Sequence, residues 1–224
     1  MNEMALEARC RGTEGCEPQP HVYVVDDDLL VREALARLLR SADYQVSAFE
    51  SAEAFLTGRV PGAPGCLLLD VGLPGVDGLA LQQALAADAA ALPVIFLTGR
   101  GDVPTCARAM KSGALDFLTK PVQDEVLFAA VDKALERDLE QRGALAYRAQ
   151  TESRLATLTP REREVLMHVM AGRLNKQIAA DLGTAEKTIK VHRARGMEKM
   201  QVRSVAELVR VVERSRPQGF EPAH

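Results

Sequence analysis

Four apolar runs of strand length, each ending on polar residues, constrain this chain more than any other feature. His21-Val22-Tyr23-Val24-Val25 runs into Asp26-Asp27-Asp28, Cys66-Leu67-Leu68-Leu69 into Asp70, Val94-Ile95-Phe96-Leu97 into Thr98, and Leu115-Asp116-Phe117-Leu118-Thr119 into Lys120-Pro121. A continuous apolar run is what a strand buried on both faces looks like, and such strands belong to parallel sheets covered by helices. Tyr44 to Phe49 reads as one further strand. Helical patterns lie between the strands. Leu30, Val31, Ala34, Leu35, Leu38 and Leu39 share one face, and Ser51-Ala52-Glu53 opens a short capped helix. Gly78 to Ala91 is Ala/Leu-rich and stops before Pro93, another helix is expected around Val103–Lys111, and one from Asp124 puts Leu127, Val131, Leu135 and Leu139 on one stripe. Strand and helix alternating five times predict a parallel sheet with helices on both faces. Ligands gather where such strands stop, so Asp26, Asp27, Asp70, Thr98 and Lys120 are expected along one edge. Polar residues mark strand ends in general, which explains each of these singly but not the ordered set.

Length and charge divide the chain. At 224 residues and 47% hydrophobic content it is long enough for two domains. Residues 1–150 hold 14 Lys/Arg against 22 Asp/Glu, a net of −8, whereas residues 151–216 hold 14 against 8, a net of +6. An acidic body joined to a basic unit points to a polyanion as partner of the second part alone. No apolar run approaches the ~20 residues that span a bilayer. The start, Met1-Asn2-Glu3-Met4, lacks an apolar signal region, so a cytoplasmic protein is expected. Cys10, Cys16, Cys66 and Cys106 show no Cys-x-x-Cys spacing, which favours reduced thiols over a metal site.

The C-terminal part reads as four short helices. Thr159 caps the first, with Pro160 at its first position and Glu162 completing a capping box. Val165, Leu166, Val169 and Met170 face a core, and Gly172 ends that helix. Asn175–Leu182 forms a second helix stopped by Gly183. A third opens at Thr184 or Ala185 and runs to about Met200, and Ser204 caps a fourth carrying Val205, Leu208, Val209 and Val212. The short Leu182-Gly183-Thr184 turn is a helix-turn-helix signature. The expected layout is a flexible tail over 1–19, an α/β domain over 20–139, and a linker able to be helical over 140–155 with Gly143 as its soft point. An all-α domain over 156–216 and a tail over 217–224 complete it.

Asp26, Asp27 and Asp70, brought together, repel one another unless a cation neutralises them. Hard oxygen donors with few protein contacts suit Mg²⁺, which keeps waters and takes a phosphate oxygen. A carboxylate can itself attack phosphorus and form an acyl phosphate, and such transfer needs positioning and charge neutralisation more than acid–base chemistry. Lys120 and Thr98 would then bind the remaining phosphoryl oxygens. Asp28, third in the row, reads as a solvated helix start whose charge suits the helix dipole.

Val24-Val25-Asp26-Asp27, Leu69-Asp70 with Pro74 and Gly78, Leu97-Thr98-Gly99 and Thr119-Lys120-Pro121 resemble the receiver domains of two-component response regulators. The resemblance implies a flavodoxin-like (βα)5 fold with strand order 2-1-3-4-5. It implies Asp70 as phosphoacceptor, Mg²⁺ held by Asp26, Asp27, Asp70 and the carbonyl of Gly72, and a switch made by Thr98, Lys120 and the aromatic Phe117. It also implies a cis Lys120–Pro121 bond. Leu158–Leu166, Asn175-Lys176-Gln177-Ile178-Ala179 and Thr188-Ile189-Lys190-Val191-His192 resemble the LuxR-type helix-turn-helix. With Thr98-Gly99-Arg100-Gly101-Asp102-Val103, the whole is similar to the FixJ type of the NarL/FixJ branch over about residues 20–214. Its implied partners are a sensor histidine kinase, promoter DNA, RNA polymerase and, on phosphorylation, a second copy of the chain.

In such folds the second helix of the motif enters the major groove. Lys187, Lys190, Val191, Ala194 and Arg195 are spaced to share its exposed side, with Arg193 at the edge. Arg and Lys can read guanine edges or hold phosphates, and Val191 can meet a thymine methyl. Asn175, Lys176 and Thr188 suit phosphate contacts, and His192 is expected to hydrogen-bond within the small domain. Gly196 stands where the family usually has an apolar residue. Since a glycine inside a helix costs about 1 kcal/mol, fraying or a bend is expected beyond Arg195. Two other classes compete with a phosphorylation-controlled regulator. An Asp-nucleophile phosphatase or dehalogenase leaves the basic helical unit unexplained, and a ligand-sensing LuxR-type regulator has no need of the Asp, Thr and Lys set.

Overall fold

The computed structural model describes residues 20–60, 62–73, 81, 82, 85, 92–99, 113–215 and 220. The chain divides into two compact units, Met1–Gln141 and Arg142–His224. In the first, β1 (His21–Val25), β2 (Gln45–Phe49), β3 (Gly65–Asp70), β4 (Val94–Thr98) and β5 (Asp116–Thr119) form one sheet of order β2-β1-β3-β4-β5. Every pairing is parallel. All residues of β3 and β4 are buried, which is why their sequences carry no polar alternation.

The side chains sort instead by parity, as the period of two in a strand demands. Tyr23, Val25, Leu67, Leu69 and Phe96 pack on one face with Phe55, Leu81 and Leu85. Val22, Val24, Cys66, Leu68, Ile95 and Leu97 pack on the other with Leu35, Leu39, Leu127 and Val131. Each such side chain taken out of water contributes roughly 1.5–3 kcal/mol. The start of β3 is held on two sides. A Cβ at Gly65 would lie 2.0 Å from the carbonyl oxygen of His21, so only glycine fits. The Gly65 N–H donates to the buried carboxylate of Asp138 at 2.8 Å.

Helix α1 (Leu29–Ser41) starts where Asp28 Oδ1 accepts from the N–H groups of Leu30 and Val31 at 2.8 and 3.2 Å. Helix α2 (Ala52–Gly58) starts at Ser51, whose hydroxyl accepts from Ala54 N–H at 3.1 Å. Leu81, Gln82 and Leu85 are helical and buried. The rest of the helix expected over 78–91, the one expected around 103–111, the 1–19 tail, Pro74, Gly78 and Cys10, Cys16 and Cys106 lie outside the described residues. Cys66 is a buried free thiol.

Helix α3 runs unbroken from Asp124 to Ala156, 33 residues, so the stretch expected as a linker is helix. The soft point at Gly143 does not break it, because a single glycine costs about 1 kcal/mol among strong helix formers. Leu139, expected on the apolar stripe, is 70% exposed, and Asp138 is buried instead. The reason is geometric. Steps of four advance 400° at 3.6 residues per turn, so Leu127, Val131, Leu135 and Leu139 drift round the helix, while Leu127, Val131, Ala134 and Asp138 stay on one face.

The second unit holds α4 (Pro160–Met170), α5 (Asn175–Asp181), α6 (Glu186–Lys199) and α7 (Val205–Ser215). The capping box is formed: Thr159 Oγ1 accepts from Glu162 N–H at 3.3 Å, and Glu162 Oε2 accepts from Thr159 N–H at 2.9 Å. Gly172 and Gly183, with φ of +79° and +60°, follow α4 and α5 in the left-handed region that terminates helices. The fraying expected at Gly196 is absent, and α6 continues to Lys199. Gly196 is buried, and a Cβ there would sit 3.0 Å from two atoms of the fully buried Leu166. The glycine lets α4 approach α6 closely. Phe220, beyond the domain end expected at 216, is 2% exposed in the core with Leu155, Leu166, Met200 and Leu208. Arg163 lies over its ring at 5.4 Å. No described helix is long and apolar enough to cross a membrane.

Lys199 donates to Glu162 at 2.6 Å, and this bond with the Thr159 N–H holds the Glu162 carboxyl below the ordinary carboxylate range. A lowered native value stabilises the fold above the ordinary value of 4.5, and that stabilisation is lost as pH falls through the native value. Glu162→Gln should therefore destabilise the second unit by about 1 kcal/mol at neutral pH. The gap between variant and parent should close in acid, as read by denaturant unfolding across pH.

Candidate functional site

The strand-end residues meet at the edge the sequence indicates. Asp26 follows β1, keeps a ladder bond from its N–H to Phe49 O at 3.2 Å, and is fully buried. Asp70 ends β3 and is 6% exposed, whereas Asp27 is exposed. One oxygen from each of Asp26, Asp27 and Asp70 lies within 4.8 Å of the others. Lys120 follows β5, and its N–H donates to Thr98 O at 2.7 Å. Its Nζ donates to Asp26 Oδ2 at 2.5 Å and to Asp70 Oδ1 at 2.7 Å. The Lys120–Pro121 bond is cis.

The other members of the set frame these charges. Gly72 N–H donates to Asp70 Oδ2 at 2.8 Å, and a Cβ at Gly72 would crowd that oxygen at 3.1 Å. Thr98 is buried at the end of β4, paired in register with Thr119. Phe117 is half-buried beside Phe96, with ring centroids 6.5 Å apart. Asp28 is turned away, its carboxylate engaged as the α1 cap. A residue the sequence did not mark is Arg32, whose Nη1 donates to Asp26 O at 2.7 Å and to Asp27 O at 3.3 Å. An arginine on an amphipathic helix carries no signal in itself, so only the fold reveals this tie.

Burial raises the Asp26 carboxyl above its ordinary value, against the pull of the Lys120 hydrogen bond, and the neighbouring Asp70 adds to the rise. Burial alone would lower the Lys120 ammonium, but its bonds to Asp26 and Asp70 outweigh that, and the net shift is upward. Three carboxylates against one ammonium leave a formal excess of negative charge at the edge. Oxygen donors from three residues, one of them open to water, fit a small hard divalent cation such as Mg²⁺.

In the second unit Ile189 and Gly196 point α6 into the core, and Lys187, Thr188, Lys190, Val191, Ala194 and Arg195 are all exposed on the remaining side. Lys190 pairs with Glu186 at 3.0 Å. Lys176 on α5 is exposed, but Asn175 and Arg193 are half-buried and bonded to each other, Nη1 to Oδ1, at 3.1 Å. The expected internal bond of His192 is not made at Nδ1, which is buried without a partner among the described residues.

The family model "Response regulator receiver domain" matches residues 22–132, and "Bacterial regulatory proteins, luxR family" matches residues 156–212. Nodulation protein W of Bradyrhizobium diazoefficiens is 47% identical over 192 residues, covering 86% of this chain and 85% of that protein. The transcriptional regulatory protein FixJ of Azorhizobium caulinodans is 46% identical over 190 residues, covering 85% of this chain and 90% of FixJ. The response regulator StyR, solved at low resolution, superposes with a TM-score of 0.79 at 46% identity, covering 87% of this chain and 98% of StyR.

Proposed function

The chain belongs to the two-component response regulators that join a receiver domain to a LuxR-type DNA-binding domain, and on that premise we propose that Asp70 takes the phosphoryl group and α6 reads the promoter. It is a phosphorylation-dependent transcription regulator, of a family of transcription factors and not of enzymes. The observation that carries the Asp70 assignment is its carboxylate at the end of the central strand, within 2.7 Å of the Lys120 ammonium and grouped with Asp26 and Asp27. The receiver corresponds to residues 20–139, the reader to 156–216 extended by the Phe220 anchor, and the 140–155 stretch to a helical connection.

A receiver implies a kinase partner, and a sensor histidine kinase is the donor that fits a carboxylate acceptor. One Asp70 oxygen attacks phosphorus, the bond from phosphorus to the donor nitrogen breaks, and the product is an acyl phosphate. Bound Mg²⁺ supplies neutralisation of charge on the phosphoryl oxygens. Asp26, Asp27, Asp70 and the Gly72 carbonyl are the groups assigned to hold it. Lys120 is charged and adjacent, so it can leave Asp26 for a phosphoryl oxygen. Thr98 offers a hydroxyl on the same edge, and Phe117, next to Phe96 and one strand away, is the ring assigned to follow it. On DNA, Lys187, Lys190, Val191, Ala194 and Arg195 face the groove, and Lys176 and Thr188 face phosphates. Asn175 and Arg193 act as a bonded pair at the rim. This work takes place in the cytoplasm, and RNA polymerase is the downstream partner.

Asp70→Asn is a near-isostere without the nucleophile. Incubated with a small phosphodonor and Mg²⁺, the parent should acquire acid-stable, base-labile phosphate and the variant none. Uptake by the variant at the parental rate would refute the assignment.

Lys190→Ala and Arg195→Ala should weaken DNA binding without affecting phosphorylation. Loss of a phosphate contact lowers the salt slope by about one, and loss of a base contact relaxes one position by ~1–3 kcal/mol. Unchanged affinity of both variants for a selected site would remove this helix face as the reader.

Phosphorylation is expected to favour a dimer, because pairing two readers raises their effective concentration at a two-half-site operator. Sedimentation with and without phosphodonor, alongside operator affinity, reads this directly. Thr98→Ala should keep phosphate uptake but blunt the gain.

A further inference from the structure

Asp26 and Asp27 are consecutive, and in a regular strand consecutive side chains point to opposite faces. For both carboxylates to approach Asp70 the chain must leave the strand between them. It does so: β1 ends at Val25 and α1 begins at Leu29. The turn is closed from the side-chain direction by Asp26 Oδ1, which accepts from Asp28 N–H at 3.1 Å. Leaving the strand also takes the carbonyls of Asp26 and Asp27 out of the ladder, and a backbone carbonyl at a half-buried site needs a donor. Arg32 supplies it from the end of the first turn of α1, one Nη1 reaching Asp26 O at 2.7 Å and Asp27 O at 3.3 Å.

We infer that Arg32 is a positioning residue for the acidic site: by tying the carbonyls of Asp26 and Asp27 to one guanidinium, it fixes the strand-to-helix turn so that both carboxylates serve one cation. The inference rests on the reading of Asp26, Asp27 and Asp70 as the Mg²⁺ site. Arg32 touches neither cation nor phosphoryl group in this role. It acts on the backbone that carries two of the ligands, as outer-shell partners of metal ligands do.

The sign of the effect separates this from a bystander charge. A guanidinium that merely lies near the site repels Mg²⁺, so removing it would tighten binding. A guanidinium that orders the ligands makes its loss weaken binding, by about tenfold on the usual scale of outer-shell substitutions. Calorimetric titration of Mg²⁺ into the full-length chain, with thermal unfolding in chelator, is the test. Arg32→Ala should bind Mg²⁺ about tenfold more weakly, with a melting temperature in chelator close to the parent's. Arg32→Lys, which keeps a long cationic donor, should recover most of the affinity. Parental or tighter binding by Arg32→Ala overturns the inference. So does a melting temperature in chelator lowered as far as by truncation of a core leucine, because the tie would then be structural. Asp26→Asn is the control for the underlying reading. If it abolishes Mg²⁺ binding while Arg32→Ala binds Mg²⁺ as tightly as the parent, only the inference fails. If Asp26→Asn also binds like the parent, the metal-site reading fails with it.

Discussion

The ammonium of Lys120 lies between Asp26 and Asp70, 2.5 and 2.7 Å away, and the edge of the sheet is arranged around that contact. Two carboxylates so deeply buried are unfavourable unless paired, and each additional negative charge raises the demand. One lysine satisfies both and remains charged, yet it leaves an acidic surplus that Asp27 increases. The lysine offsets part of the charge of the buried pair, and the acidic surplus suits a small divalent cation. In the proposed reaction the same lysine would transfer a bond to the incoming phosphoryl oxygen.

That contact depends on strand order. Asp26 and Asp70 come from adjacent strands β1 and β3, but Lys120 reaches them from β5, two strands from β3. The span is held by rigid packing on both faces, where alternate residues of every central strand are buried. The opposite end of β3 is fixed as firmly, with Gly65 against the His21 carbonyl and bonded to Asp138. Asp138 belongs to α3, the helix that runs on to Ala156.

In the second unit the surface chemistry is simple and the packing is specific. Ile189 and Gly196 commit one side of α6 to the core, which leaves Lys187, Lys190, Val191, Ala194 and Arg195 on the other. Glycine at 196 costs helix propensity but brings Leu166 against the helix backbone, so the loss of local preference is offset by close contact between α4 and α6. Lys199 ties the end of the same helix to Glu162 and so to the start of α4.

By itself the sequence determined the sheet, its order and the members of the acidic edge. The strand order came from the resemblance to receiver domains. The sheet and its acidic edge follow from local signals: apolar runs too continuous for any but buried strands, and charged residues at their ends. The capping box and the exposed side of α6 were legible for the same reason, since caps and helical periodicity act within a few residues. Tertiary structure alone decided what depends on contacts between distant segments. The Arg32 tie is made by a turn that bends its target carbonyls toward it. Asp138 displaces Leu139 from the buried face because the true helical repeat is 3.6 and not four. The need for Gly196 exists only where Leu166 arrives, and the burial of Phe220 only where Arg163 and the α4–α7 core receive it. Local propensity cannot register a partner that the chain brings in from elsewhere, and each of these residues is explained by such a partner.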